Sequence, residues 1–349
     1  MKIFPFRSAG ADRAVEFHIG THKTGTTTIQ EFLRINKARL RQAGLARVFD
    51  DTAVTDTREQ RAAHKICEAL AAGEKSPNWE RLRAAAADLR ADMPVLLSSE
   101  VMFRHLSAAR TEGRRRSLSD NIRATLGERV RFTLYVRNFG DYFNSLVSER
   151  IIATTESRPF AEVVKGLGHL AAIQDVAEHL EADFGPGSVR IHSFDAATRS
   201  EGGLLAHFAR GFGWTAEAGL EEPGGRLHAM PPPATLAAKY VLNGLDLAPE
   251  IYARLRRQIP KITLAHGKGK PFRVISDEMI DEAIAMGRRL NPGIGRFGDI
   301  PEDLLYSDQA KAKPYVDLAG LPPERKMAAL AEFYQLSTLG DVKRLKVLP

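Results

Sequence analysis

Up to about residue 195, short apolar runs rich in β-branched residues alternate with longer stretches of helical period, and this alternation most constrains the fold. Val15–Ile19, Pro94–Ser98, Val130–Val136 and Val189–Ser193 read as strands. A helix is expected from about Thr27 to Ala43, with Gly44 as its stop signal. Further helical stretches fall around 78–92, 114–126, 140–153 and 170–183. Strand–helix–strand repetition predicts an α/β fold: a mainly parallel central sheet with helices on both faces. After 195 the pattern loosens. Pro223-Gly224-Gly225, Pro231-Pro232-Pro233, Pro260 and Gly267-Lys268-Gly269-Lys270-Pro271 interrupt it, and helical period resumes at about 276–290 and 322–335. No internal repeat is present. The organisation expected is one α/β domain over 1–300 and a helical extension, 301–349, packed on it.

Hydrophobic residues at 44% and charged residues at 27% exclude a disordered tail or a coiled coil. The apolar runs stop short of the roughly 18–20 residues that cross a bilayer, and the first residues lack the apolar core of a signal peptide. Cys67 is the single cysteine, so neither a disulfide framework nor a thiolate metal cluster is available. A cytoplasmic protein is expected. The net charge of +7 favours anionic ligands, but the basic residues are scattered, and charge by itself names no partner.

The chemistry concentrates where the first strand ends. Gly20-Thr21-His22-Lys23-Thr24-Gly25-Thr26-Thr27-Thr28 joins strand to helix, and a glycine-containing turn there forms an anion cradle from backbone N–H groups and the helix N-terminus. Lys23 adds an ammonium and the threonines add hydroxyls. Gly20 and Gly25 have the spacing of a Walker A loop, yet Thr26 stands where that loop needs lysine. A triphosphate-using enzyme is therefore disfavoured. A plain tight turn capped by threonines is the structural alternative.

The stretch His18 to Gln30, with its Lys-Thr-Gly-Thr-Thr core, resembles the 5′-phosphosulfate-binding loop of sulfotransferases, which take a sulfuryl group from 3′-phosphoadenosine 5′-phosphosulfate (PAPS) and release adenosine 3′,5′-bisphosphate (PAP). The resemblance implies a P-loop-like fold. It also implies a 3′-phosphate site built from an arginine at a strand end and a serine on the next helix. Arg137 and Ser145 match, with a planar guanidinium suited to phosphate and a neutral hydroxyl donor. An arginine ending an apolar strand is otherwise a surface residue. Lys268 and Gly269 are similar to the basic loop that closes over the donor nucleotide; a solvated loop is the other reading.

Leu96-Leu97-Ser98-Ser99-Glu100 places a carboxylate just after a buried strand, at the carboxyl end of the sheet, where open α/β sheets bind ligands. Glutamate is the general base in carbohydrate-modifying members of the family that the chain resembles, and Glu100 is the candidate here. It could instead cap the following helix or anchor Arg104. His105 is the reserve base. His22 contacts a sulfate or phosphate oxygen or only supports the loop, His18 is a packed strand histidine, and His64 and His105 are candidates for the acceptor side. Residues at metal-ligand spacing are not evident, so no metal is expected.

The activity implied is transfer of a sulfuryl group from PAPS, as co-substrate, to a hydroxyl or amine of a glycan or polar metabolite. Lys23, His22 and the loop hold the transferring group, and Glu100 takes the proton. Residues 50–75, 101–116 and 148–170 are expected to shape the acceptor pocket. The alternatives are a P-loop nucleotide phosphotransferase and a non-catalytic binder of PAPS or polyanions. Nucleic acid is not an expected partner.

Overall fold

The structure is a computed structural model that describes residues 15–21, 23–48, 62–89, 94–108, 112–214, 219–224, 230–245, 247, 249–250, 252–253, 257–259 and 271–338. The chain divides into two compact units. The first takes in residues 1–138, 169–226 and 287–305; the second takes in 139–168, 227–286 and 306–349.

The first unit holds a sheet of five strands among the described residues, all parallel, in the order β2-β3-β1-β4-β5. These are β1 (Val15–His18), β2 (Arg47–Val48), β3 (Val95–Ser98), β4 (Val130–Val136) and β5 (Val189–Ser193). Between them run α1 (Thr26–Gln42), α2 (Ala62–Ala72), α3 (Trp79–Leu89), α4 (Glu100–Ala108) and α5 (Glu112–Leu126). In the second unit lie α6 (Phe139–Ala153) and α7 (Phe160–Gly166). The first unit continues with α8 (Ile173–Phe184), α9 (Phe194–Arg199) and α10 (Gly203–Gly211). β1 is central, with β3 on one side and β4 on the other, so the chain reverses its direction of travel across the sheet there.

Both faces of the sheet are covered. Side chains alternate along a strand, and the register sets Phe17 beside Leu97 and Phe132 on one face. There Phe132 meets Phe184 of α8 edge-on, ring centroids 5.0 Å apart. The other face carries Leu96 and Tyr135, which join a core with Ile29, Phe32, Leu33 and Leu40 of α1 and Phe208 of α10. In α1 these residues recur at helical spacing, giving one apolar stripe. The helix then stops at Gly44, whose φ of 67° suits glycine. The Leu45 N–H bonds the Leu40 carbonyl at 3.0 Å and the Gly44 N–H bonds that of Arg41 at 3.1 Å, a Schellman closure.

The face under α1 and α10 is unusually polar. Glu16 is 4% exposed, with Arg131 of the next strand 3.6 Å away. Burial pushes its carboxyl up to about 7 against the opposing pull of Arg131 and Arg190. His18 is fully buried, its Nδ1 2.8 Å from Ser98 Oγ, and burial pushes it down to about 3. His192 is pushed down to about 4, chiefly by burial and then by His207. The strand histidine expected to be packed is packed, and neutral.

These groups fix how stability depends on pH. An acid with a raised native value lets the folded state hold the extra proton, so Glu16 contributes most below pH 4.5 and that contribution is lost as pH rises to about 7. The histidines work oppositely, their contribution being full above 6.5 and lost as pH falls toward 4 and 3. Glu16→Gln removes only the first effect. The variant is expected to be more stable than the wild type at pH 8, by up to about 3 kcal/mol, and to lose that advantage by pH 5. Urea unfolding at both pH values checks this, and an equal difference at the two would contradict it.

The second unit is helical. It contains α6, α7 and α11 (Pro233–Asn243), most of α12 (Asp277–Leu290), and α14 (Pro323–Thr338); the short α13 (Glu302–Leu305) belongs to the first unit. Lys239 of α11 is 1% exposed and donates to the carbonyls of Ile151 at 2.9 Å and Thr154 at 2.8 Å, satisfying acceptors at the end of α6. Asp141, in the first turn of α6, pairs with Lys313. Among the described residues no helix is long and apolar enough to cross a membrane.

Candidate functional site

Three neighbouring strands, β3, β1 and β4, end side by side, and each is followed by a residue singled out in the sequence. After β1 comes the loop 19–25, after β3 comes Ser99-Glu100, and after β4 comes Arg137. This is the carboxyl edge at a topological switch point, where such sheets open a crevice.

Hydrogen bonds tie the loop to its neighbours. Thr21 Oγ1 donates to the Tyr135 carbonyl on β4 at 2.6 Å, and the Ser99 N–H donates to the His18 carbonyl at 2.9 Å. Thr24 is buried, and its hydroxyl donates to the Thr21 carbonyl at 2.6 Å. Its side chain therefore closes the turn, and what it can offer a ligand is its backbone N–H. Lys23 has φ of 64°, a left-handed conformation rare for a residue with a Cβ, and Gly25 has φ of 76°. Gly25 admits no side chain on a second ground, because a Cβ there would collide with Leu204 of α10. At Gly20 a Cβ would collide with the Thr26 side chain.

α1 starts directly from this turn. Gly25 is its N-cap and has no side chain to bond the first N–H groups, those of Thr26, Thr27 and Thr28. Thr26 Oγ1 is buried with no hydrogen-bond partner among the described residues. Thr27 and Thr28 are half-buried, and Lys23 is exposed. The turn thus brings an uncapped helix N-terminus and the exposed Lys23 together within a few residues, a concentration of positive potential.

Arg137 stands beside this turn. Its Nη1 donates to the Lys23 carbonyl at 3.4 Å, and its guanidinium lies 5.5 Å from the centre of the Phe194 ring. The next residue is anchored from both ends: the Asn138 N–H donates to buried Asp195 at 2.7 Å, and Asn138 Nδ2 donates to the Leu304 carbonyl at 2.9 Å. Ser145 lies on α6, in the second unit.

Glu100 is the first residue of α4 and half-buried. Gln30 of α1 reaches it, with Nε2 3.2 Å from Glu100 Oε2 and 3.0 Å from the Ser98 carbonyl. Nothing in the sequence marks Gln30 as a partner of Glu100, which lies 70 positions away. Cys67 of α2 lies beneath this junction, fully buried against Ser99 and the backbone of Met102, and burial pushes its thiol up to about 12. His105 lies further along α4 with Arg104 and Glu68 as its charged neighbours. Burial, then Arg104, lowers its pKa, and its Nε2 is buried. That buried nitrogen is poorly placed to take a proton from a substrate. His22, Lys268 and Gly269, with the side chain of His64, lie outside the described residues.

Two other features do not have the geometry of an active site. Ser119 Oγ and Asp183 Oδ2 both lie 3.3 Å from the same His179 nitrogen, Nε2, whereas a nucleophilic relay uses the two ring nitrogens separately. A cavity of about 30 Å³ among Thr133, Tyr135, His192, Phe208 and Phe212 has room for a water rather than a substrate. Among the described residues no three His, Cys, Asp or Glu side chains converge as a metal site. No family model, curated protein or solved structure matches this chain.

Proposed function

We propose that the chain is a PAPS-dependent sulfotransferase of P-loop-like fold, acting on a hydroxyl of a glycan or polar metabolite. The observation that carries this reading is the convergence of three elements at adjacent strand ends: the uncapped turn with Lys23, the Glu100 carboxylate and the Arg137 guanidinium. The donor's chemistry fits these residues. Its 5′-phosphosulfate is an anion of the kind that the N–H groups of residues 26–28 and Lys23 can hold. Its 3′-phosphate suits a guanidinium.

Each residue then has a defined task. Glu100 takes the proton from the acceptor O–H as that oxygen bonds to sulfur. The bond between sulfur and the oxygen of the 5′-phosphate breaks, and its electron pair stays on that oxygen. Lys23 and the α1 N–H groups balance the charge that develops there. In-line transfer of this sort asks for alignment and charge stabilisation more than for a covalent intermediate.

The nucleotide phosphotransferase reading gains no observation. Thr26, not a lysine, follows Gly25, and its hydroxyl is turned against Gly20.

Arg137→Ala is expected to weaken binding of PAP about 10–100-fold, the range for losing a charged hydrogen-bond partner. Isothermal titration with PAP and with ADP reads this directly. The loss should be confined to the nucleotide bearing a 3′-phosphate, and unchanged affinity for PAP would remove Arg137 from the site.

A further inference from the structure

Gln30 makes a connection that the proposed reaction does not by itself require. Its amide nitrogen lies 3.0 Å from the Ser98 carbonyl and 3.2 Å from Glu100 Oε2. Both neighbours are acceptors, and an amide nitrogen has two hydrogens to give. The amide can therefore face them only one way round, since the flipped amide would set its own oxygen against a carbonyl and a carboxylate. Gln30 belongs to α1, the helix that begins at the anion turn. The four steps from Thr26 to Gln30 rise about 6 Å along the axis. One rigid turn of helix thus separates the anion site from the group that holds the carboxylate.

We infer that Gln30 is a positioning residue: it fixes the Glu100 carboxylate to α1, so that the proton acceptor and the cradle for the transferring group keep a set distance. The inference rests on Glu100 being the base in the reading above. A glutamate at the head of a helix has several rotamers, and each differs by ångströms in where the oxygens lie. A misplacement of about 1 Å in a reacting group can cost about 10²-fold in rate. The hydrogen bond from the helix that begins at the turn restrains the Glu100 side chain to one rotamer relative to that turn.

The test replaces Gln30 by Leu, which keeps the bulk and removes both N–H groups; Gln30→Met serves if the branched side chain lowers the melting temperature by more than a few degrees. PAP release from PAPS is followed with water as the acceptor. The expected result is a fall in kcat of about 10–100-fold with KM for PAPS within about twofold. In a Glu100→Gln background the same replacement should have no further effect, as expected for residues acting through one another. An equal loss in both backgrounds, or a rise in KM alone, would overturn the proposal.

A second readout is free of turnover. In protein labelled with ¹³C at the glutamate carboxyls, the Glu100 signal, assigned by its absence in Glu100→Gln, should move in Gln30→Leu while those of distant glutamates stay. A Glu100 signal that does not move overturns the inference. A signal that moves in a protein whose wild type releases no PAP would leave the contact standing, and would end both the sulfotransferase reading and the catalytic role given to Gln30.

Discussion

Lys23→Ala is expected to lower the rate of the proposed sulfuryl transfer from PAPS by about 10²–10³-fold, the loss associated with removing one charge-stabilising donor from a developing oxyanion. Lys23 adopts a left-handed conformation, φ 64°, which costs a residue with a Cβ about 1–2 kcal/mol. Alanine carries the same Cβ and meets the same cost, so Lys23→Ala changes the charge and leaves the turn's strain as it was. Glycine relieves the strain instead. Lys23→Gly is therefore expected to be more stable than the wild type by up to about 1 kcal/mol and as inactive as the alanine variant. Loss of activity with gain of stability is the signature of a residue kept for its function. Rates of PAP release, measured beside urea unfolding curves, check both halves. An alanine variant that retains most of its turnover would take Lys23 out of the reaction.

Glu100→Gln should cost about 10²–10⁴-fold in turnover, the range for losing a general base, while PAP binds within about threefold of its normal affinity. The substitution is structurally mild. A glutamine at 100 can still offer its carbonyl oxygen to Gln30 Nε2, now 3.2 Å from Glu100 Oε2, so the link between α1 and α4 survives and only the capacity to take a proton is lost. Binding and turnover therefore separate in this variant, whereas a variant that disturbed the fold would lose both. The separation also distinguishes an enzyme from a PAPS-binding protein that performs no chemistry. If turnover persists in Glu100→Gln, the base lies elsewhere. His105, the other candidate, is poorly suited, since its Nε2 is buried and its charged neighbours are Arg104 and Glu68.

Much of the sheet was legible because its strands are short runs rich in β-branched and aromatic residues set between longer stretches of helical period. Four of the five described strands and the helix after β1 follow from that pattern, and Gly44 marks the end of α1 because the closing turn needs a left-handed residue. β2 was not legible: Arg47–Val48 is two residues long, too short to show alternation. The polar face under α1 and α10 was hidden for another reason. Glu16, His18 and His192 each look like the outward position of a half-exposed strand, and only the packing of a second layer of helices on that face buries them.

In the site, position after an apolar strand pointed to the turn and to Glu100, whereas Arg137 came only with the family resemblance, because an arginine ending a strand is by itself a surface residue. Side-chain assignments within the turn were less accessible. A run of threonines suggests a row of hydroxyl donors, but Thr21 and Thr24 give theirs to backbone carbonyls, and that of Thr26 is buried against Gly20. Gln30 was invisible as a functional residue because its partner is 70 positions away in the chain.

Thermal unfolding in the presence of PAP, ADP and ATP with Mg²⁺ shows whether the turn after β1 serves a nucleotide carrying a 3′-phosphate. At 100 times its dissociation constant a ligand adds about 2.7 kcal/mol to stability, enough to raise the melting temperature by roughly 2–4 °C in a protein of this size. The account predicts that PAP gives this rise, that ADP gives much less, and that the Arg137→Ala protein loses the response. A rise with ATP and Mg²⁺ but not with PAP would contradict it and assign the turn to a nucleotide triphosphate.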